Sequence, residues 1–485
     1  MRTTGNLGIC IVLLTWAGSV AGDTHYVSSG QSIQAAIDAA ESGDVVEVAP
    51  GTYTGPGRTD TVPALVDFKG KALHLRSSGG ASTTTIDGTG YYHVVQCVCS
   101  AGAGTVLEGF TITGGNADDP GGLEPPVHSG GGGMRNVGSS PTVRDCVFQS
   151  NSAWAYGGGG MFNDGGSPTV SHCTFSNNST QVGDGGGIRS VGGSPTLTHC
   201  TFRSNFGPFG GGGLRNEASA TVTNCTFHGN GADHGGAIGN SGDLIVTNCV
   251  FGSNGATVSG GAIFNYAGSA SVTNCTFVNN DSLGVAGMDG GGTATNCIFW
   301  SDGSTVARAQ IGGSCVVTYS DIRDGFAGEG NIDADPLFVG GEDFHLQPGS
   351  PCIDAGTNSP AGGLPPTDLD GNSRPVDGNG DGTAVADIGA YEAPLVSLGQ
   401  LVQDLLQDVL DLNLEPGVRT SLTAELNAAL RIVSDGNARN DAGAIGALTG
   451  FVKTVAAYRG KKIGTADADA LIATAQGIIN LLSRR

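Results

Sequence analysis

The chain has 485 residues, 85 of them glycine and only 14% charged, with a formal net charge of −22. That balance leaves no basic footprint for nucleic acid. An apolar share of 38% rules out a disordered chain, while the glycine content lies outside ordinary globular composition.

Met1 to Gly22 carries Arg2, an apolar run from Leu7 to Ala17 and small residues at Ser19, Ala21 and Gly22. This is the pattern of a secretory signal peptide, so bacterial-type export to the medium or the cell surface is expected. Cys10 lies inside the apolar run behind Ile9, which does not suit a lipoprotein cleavage site. No later segment is long and apolar enough to span a membrane. Eleven cysteines remain after Cys10, an odd number that cannot all pair within one chain.

Ser32 to Ala40 predicts a short amphipathic helix with Ile33, Ala36, Ile37 and Ala40 on one face, followed by a strand at Val45 to Val48. Short strand-like phrases continue through Ala72–Leu75, Thr85–Asp87, His93–Cys99 and Thr105–Thr113.

From Thr142 to Asp302 one phrase recurs seven times: TVRDCVF, TVSHCTF, TLTHCTF, TVTNCTF, IVTNCVF, SVTNCTF and TATNCIF. Cys146, Cys173, Cys200, Cys225, Cys249, Cys275 and Cys297 are spaced by 27, 27, 25, 24, 26 and 22 residues. A period of that length with strand chemistry and no helical pattern means a stacked β-solenoid, one repeat per coil. Cys and Phe two residues apart share a strand face, so Phe148, Phe175, Phe202, Phe227, Phe251, Phe277 and Phe299 are expected to stack indoors.

The apolar residue before each Cys is three positions away, which breaks the alternation. At the break stand Asp145, His172, His199, Asn224, Asn248, Asn274 and Asn296. Asp, Asn and His are the side chains that best tolerate positive φ, so the coil is expected to turn there. Gly109 fills the same slot in an earlier coil. Asn151, Asn178, Asn205, Asn230, Asn254, Asn280 and Asp302 follow each Phe by three residues. After a variable loop, Gly-rich strands offer Met134, Met161, Ile188, Leu214, Ile238 and Ile263 as inward residues.

Stacked coils hold equivalent Cβ atoms about 4.8 Å apart, beyond disulfide reach, so the cysteine column is expected to be free thiol acting as small apolar filler. Past the repeats, Val316–Ile322 and Asn331–Phe338 look like degenerate coils, and Asp343 to Glu392 forms a Gly- and Asp-rich closing segment. After Pro394 the pattern becomes helical, with helices expected over Leu398–Leu410, Leu422–Val433, Ala444–Tyr458 and Ala466–Leu482.

The GGAI and FxxN pieces resemble the repeats of right-handed parallel β-helix proteins of the polymorphic outer-membrane protein type, within the pectin-lyase-like superfamily, over residues 24 to 393. The helix with its PGTY turn at Pro50–Tyr53 resembles the N-terminal cap of that superfamily. DFHLQPGSPCIDAGTN, TDLDGNSRP and VDGNGDGTAVADIGAYE resemble the C-terminal cap of secreted bacterial β-helix proteins. SLTAELNAAL, FVKTVAAYRGKKI and ADALIATAQGIINLL resemble the FIMAH module. The expected fold is therefore all-β: a signal peptide (1–22), a capped right-handed parallel β-helix (23–394) and a small α-helical bundle (395–485).

Arg135, Phe162, Arg189, Arg215, Gly239 and Phe264 follow the inward residues of the Gly-rich strands and are expected to form an outward column. In the superfamily that face binds polysaccharide, which makes Arg135, Phe162, Arg189, Arg215 and Phe264 ligand-binding candidates. The flanking loops carry Asp118, Asp119, Asp184, Asp233 and His234. Pectate lyases use such Asp residues to hold Ca²⁺ and an Arg as base, so Asp184 with Arg189, or Asp233 with Arg215, are the catalytic candidates the resemblance implies, with His234 beside Asp233 as a further candidate. Asp377, Asn379, Asp381 and Asp387, with Asp368 and Asp370 nearby, place oxygen ligands around a Gly-permitted turn and are candidates for Ca²⁺.

The expected function is a monomeric secreted or cell-surface β-helix that binds extracellular polysaccharide or a cell-surface partner and does not bind nucleic acid. The alternative is a Ca²⁺-dependent polysaccharide lyase or glycoside hydrolase.

Overall fold

The computed structural model describes residues 22–55, 64–91, 93–98, 104–117, 130–300, 309–395, 397–434 and 441–484. Residues 1–21 of the proposed signal peptide, Asp118, Asp119 and Asp302 lie outside them.

The chain winds as a parallel β-helix. Each regular coil contributes to four sheets in turn. The first sheet holds twelve strands, from Thr24–Val27 to Cys315–Thr318, and the fourth holds nine, from Ala64–Asp67 to Met288–Asp289. About nine turns are therefore complete, and the extra strands of the first sheet belong to open ends. The second sheet carries the Phe strands, such as Thr226–His228. A short third sheet (Ser152–Ala153, Ser179–Thr180, Phe206–Gly207 and onward) leads into the loops before the fourth.

Register follows the sequence columns. Phe148 pairs with Phe175, and so on through Phe299. Their rings stack 4.4 to 5.0 Å apart and nearly parallel. Every expected corner residue is left-handed, from Asp145 at φ 55° to Asn296 at φ 54°. Two further left-handed corners complete the coil: one two residues after each Phe from Phe148 to Phe277 (Ser150, Asn177, Ser204, Gly229, Ser253, Asn279), the other in the Gly run (Gly131, Gly158, Gly185, Gly211, Gly235, Gly260).

At the second corner, Asn151 to Asn280 form a buried ladder. From Asn151 to Asn254 each Nδ2 donates to the next coil's Oδ1, as from Asn205 to Asn230 at 3.0 Å, and from Asn151 to Asn280 also to a carbonyl of the preceding coil. The ladder satisfies polar groups that would otherwise be costly in a dry interior. The ten described cysteines are all buried and free. Burial pushes the thiols of Cys225, Cys249 and Cys275 well above their ordinary range, so they are unreactive filler.

Helix α1 (Ile33–Ala39) is N-capped by Ser32 and buries Ile33 and Ile37 against the first coils. The closing segment does not repeat the coil. Phe338–Gly340 and Asp343–Leu346 form an antiparallel hairpin, and the chain beyond lies along the side of the solenoid. Asn248 donates to Thr367 O at 2.7 Å, and Asn296 to Thr357 O at 2.9 Å. Buried Arg374 holds Glu392 at 2.6 Å and Asn248 at 3.2 Å. The segment thus covers the corner column of the later coils.

Four helices follow: α2 (Leu398–Asp411), α3 (Pro416–Val433), α4 (Asp441–Tyr458) and α5 (Thr465–Arg484), around a core including Leu405, Leu422, Phe451 and Ile478. Helix α3 begins at Pro416, ahead of the expected Leu422, because proline suits a first helical turn. No described helix is long and apolar enough to cross a membrane.

Candidate functional site

The fourth sheet brings the outward column together in register: Gln96, Arg135, Phe162, Arg189, Arg215, Gly239, Phe264 and Asp289. Alternation along each strand also sends Glu217 outward, two residues after Arg215, and Glu217 is the hub of the ion pairs. Arg189 Nη2 lies 2.9 Å from Glu217 Oε1, and Arg215 Nε lies 3.3 Å from the same oxygen and 3.6 Å from Asp184.

Burial raises the Asp184 carboxyl above its usual range, against the pull of Arg215 and Arg189. Of the two pairings expected for catalysis, neither forms as a direct ion pair: Asp184 reaches Arg215, and Arg189 takes Glu217. Asp233 instead accepts from Thr257 Oγ1 at 2.5 Å. The register explains this, since long Arg side chains reach into the neighbouring coil.

Phe162 is in the column but only 8% exposed, with its ring against Gly130, so it is packing rather than a platform. Desolvation lowers the Arg135 guanidinium from its ordinary value.

Downstream the column becomes aromatic. Tyr266 places its ring 4.4 Å from the Arg215 guanidinium carbon. Its hydroxyl donates to Phe209 O at 2.9 Å, two coils away. Gly210 makes room for this reach, because a Cβ there would come within 2.5 Å of the Tyr266 hydroxyl. His234 packs against Phe264 at 4.6 Å and Tyr266 at 5.6 Å. Burial pushes the Tyr266 phenol up to about 12, so it stays protonated as a donor. Ser259 hydrogen-bonds Asp289 at the end of the column. His234 Nδ1, Arg189 Nε and Arg215 Nη1 are buried without a hydrogen-bond partner.

Beside this column, the third sheet and the loops leaving it expose Trp154, Tyr156, Val182, Phe206, Phe209, Val258 and Leu283. Sequence reasoning missed this band and Tyr266. The loops vary in length, so their residues form no sequence column. Glu217 was legible as the outward residue after Arg215.

The acidic loop of the closing segment is knitted by its own backbone. Asp377 accepts from Gly380, Asp381 and Gly382 amides, and Asn379 and Asp381 accept from amides two residues on. Asp387 is buried apart from them, accepting from the Asp354 and Ala393 amides. Asp354, rather than Asp387, faces the loop through the Asn379 amide. Asp370 is engaged elsewhere, with His345 Nε2 at 2.7 Å, and Asp368 takes amides of Asn372 and Glu392. Among the described residues no group of three or more His, Cys, Asp or Glu is arranged to hold a metal ion.

Against known proteins, the family model described as "right handed beta helix region" matches residues 72–214 and 184–324, together just over half of the chain. A solved structure similar to this one is the pectate lyase Pel9A, with 16% identity over 78% of this chain and 98% of that chain and a TM-score of 0.47. No curated protein matches. The stacked register, the left-handed corners and the family match agree, and the chain belongs to the right-handed β-helix family.

Proposed function

We propose that this protein is an exported β-helix that binds extracellular carbohydrate on the face of its fourth sheet, without chemistry of its own. The observation that carries the reading is the cluster of Arg189, Arg215, Glu217, Asp184 and Tyr266, in which both guanidiniums are already matched by carboxylates. An arginine so engaged suits a rigid, partly desolvated polar surface beside aromatic rings. It is poorly placed to take a substrate proton.

The test is incubation of the purified chain with a polysaccharide panel, with and without Ca²⁺, following retention, reducing ends and the absorbance of unsaturated products. Retention without turnover is expected. New reducing ends or unsaturated products, lost in Arg189→Ala or Arg215→Ala, would convert the reading to a lyase or hydrolase.

Calcium in the closing segment is a separate proposal. A cation beside Asp354, Asp377 and Asp381 would relieve repulsion among carboxylates that raises Asp354 further once burial has raised it. Binding only to the folded state would raise Tm. Identical melting curves in EDTA and in excess Ca²⁺ would remove the idea.

A further inference from the structure

Tyr156, Gly183 and Phe209 occupy one position on three successive coils, as the backbone bonds from Gly158 to Asp184 O and from Gly185 to Gly210 O show. The middle position carries no side chain: Gly183 is buried, and a Cβ there would come within 2.7 Å of Gly157 N and 2.9 Å of Ala155 O. Two exposed rings, Tyr156 (44%) and Phe209 (55%), therefore stand two coils apart with no ring at the position between them, each with a second exposed aromatic on its own coil, Trp154 (45%) and Phe206 (51%). With each coil rising about 4.8 Å, the backbone positions that carry the rings stand about 9.6 Å apart along the solenoid axis. That is close to the length of two pyranose units in an extended chain.

Both loops are held from beneath by the cluster described above. Arg189 Nη1 donates to Tyr156 O at 2.8 Å, and the Tyr266 hydroxyl donates to Phe209 O at 2.9 Å. Side chains that fix the backbone of a platform reduce the ordering cost of binding on it. Arg189 and Tyr266 are thus positioning residues, and the rings are the contact.

Resting on the carbohydrate reading, we propose that Tyr156 and Phe209, backed by Trp154 and Phe206, form a two-platform site for an extended neutral glycan lying along the solenoid axis. Apolar sugar faces stack on the rings, which expose broad apolar area on few rotatable bonds. Clustered exposed apolar side chains rimmed by polar residues mark interaction sites. Charge selects the class of ligand. The chain carries −22, and Asp184, Glu217 and Asp233 lie beside the platforms while the nearby guanidiniums are already paired, so a polyuronate would be repelled.

The experiment is calorimetric titration of the full chain with cello-, chito- and manno-oligosaccharides from disaccharide to octasaccharide, with oligogalacturonates as the charged comparison. Expected is binding to one neutral ladder, with affinity stepping up at the length that first spans both rings. Tyr156→Ala and Phe209→Ala should each weaken the longer oligosaccharides about tenfold or more, worth ~1.4 kcal/mol, and flatten that step. Tyr156→Phe and Phe209→Tyr should retain both. Tyr266→Phe keeps its ring but frees the Phe209 loop, and should blunt the length step without lowering Tm. Oligogalacturonates binding more tightly than every neutral ladder, or full binding in both alanine variants, would overturn the two-platform site while leaving carbohydrate binding standing. Binding to no glycan of any kind would remove both.

Discussion

The phenylalanine in each repeat is the residue on which the fold most depends. Phe227 is wholly buried, stacked between Phe202 at 4.5 Å and Phe251 at 5.0 Å. The neighbouring column is cysteine, too small to fill a void. We therefore expect Phe227→Ala to cost about 3–5 kcal/mol, and Phe227→Asp to prevent folding by burying an unpaired charge. Urea unfolding followed by circular dichroism checks both, and an alanine variant within ~1 kcal/mol of the parent would show that the stack is not the core.

At the scale of the element, the coil is shaped by its corners more than by strand propensity. Its strands are mostly two to five residues long, too short to fix direction alone. Asn224 sits at φ 53° with its Nδ2 3.0 Å from His199 Nε2, and its side chain is partly exposed. Asn224→Val should cost about 1–2 kcal/mol or more, because a β-branched side chain resists the left-handed region. Asn224→Gly should be close to neutral. Thermal melts of the pair separate backbone strain from lost side-chain contact: equal losses would place the effect in the contact with His199.

For the whole molecule, the buried acids set the pH response. Burial raises Asp321 to about 6, and raises Asp387 and Glu392 as well. An unfolded carboxyl titrates near 3.9, so between about pH 4 and 6 the folded state binds a proton that the unfolded state does not. Stability therefore falls as pH rises through that window, by at most about 3 kcal/mol for Asp321. Glu108 and Asp343 are lowered and act oppositely, losing stability only as pH falls towards and below the ordinary carboxyl range. Tm should be higher at pH 5.5 than at pH 8, and Asp321→Asn should flatten the slope. A Tm that rises from pH 5.5 to 8 would contradict the burial of these acids.

Much of this was determined by the sequence alone, because a solenoid repeats one local problem many times. The period, the inward Phe and Cys columns, the left-handed corner at Asp145 to Asn296 and the outward column through Arg189 and Arg215 all follow from alternation and from which side chains accept positive φ. The second corner, at Ser150 and Asn177, was less legible, since serine in a strand-like phrase does not announce a turn. Tertiary structure alone decided what lies between unequal loops or between distant segments. It set Tyr266 reaching back two coils to Phe209, Glu217 shared by two arginines, and Tyr156 and Phe209 brought into line across Gly183. It also laid the closing segment along the corner column, through Arg374 and Asn248, 126 residues apart in sequence. Such contacts depend on where the coils place the loops in space, and no periodicity in the chain encodes them.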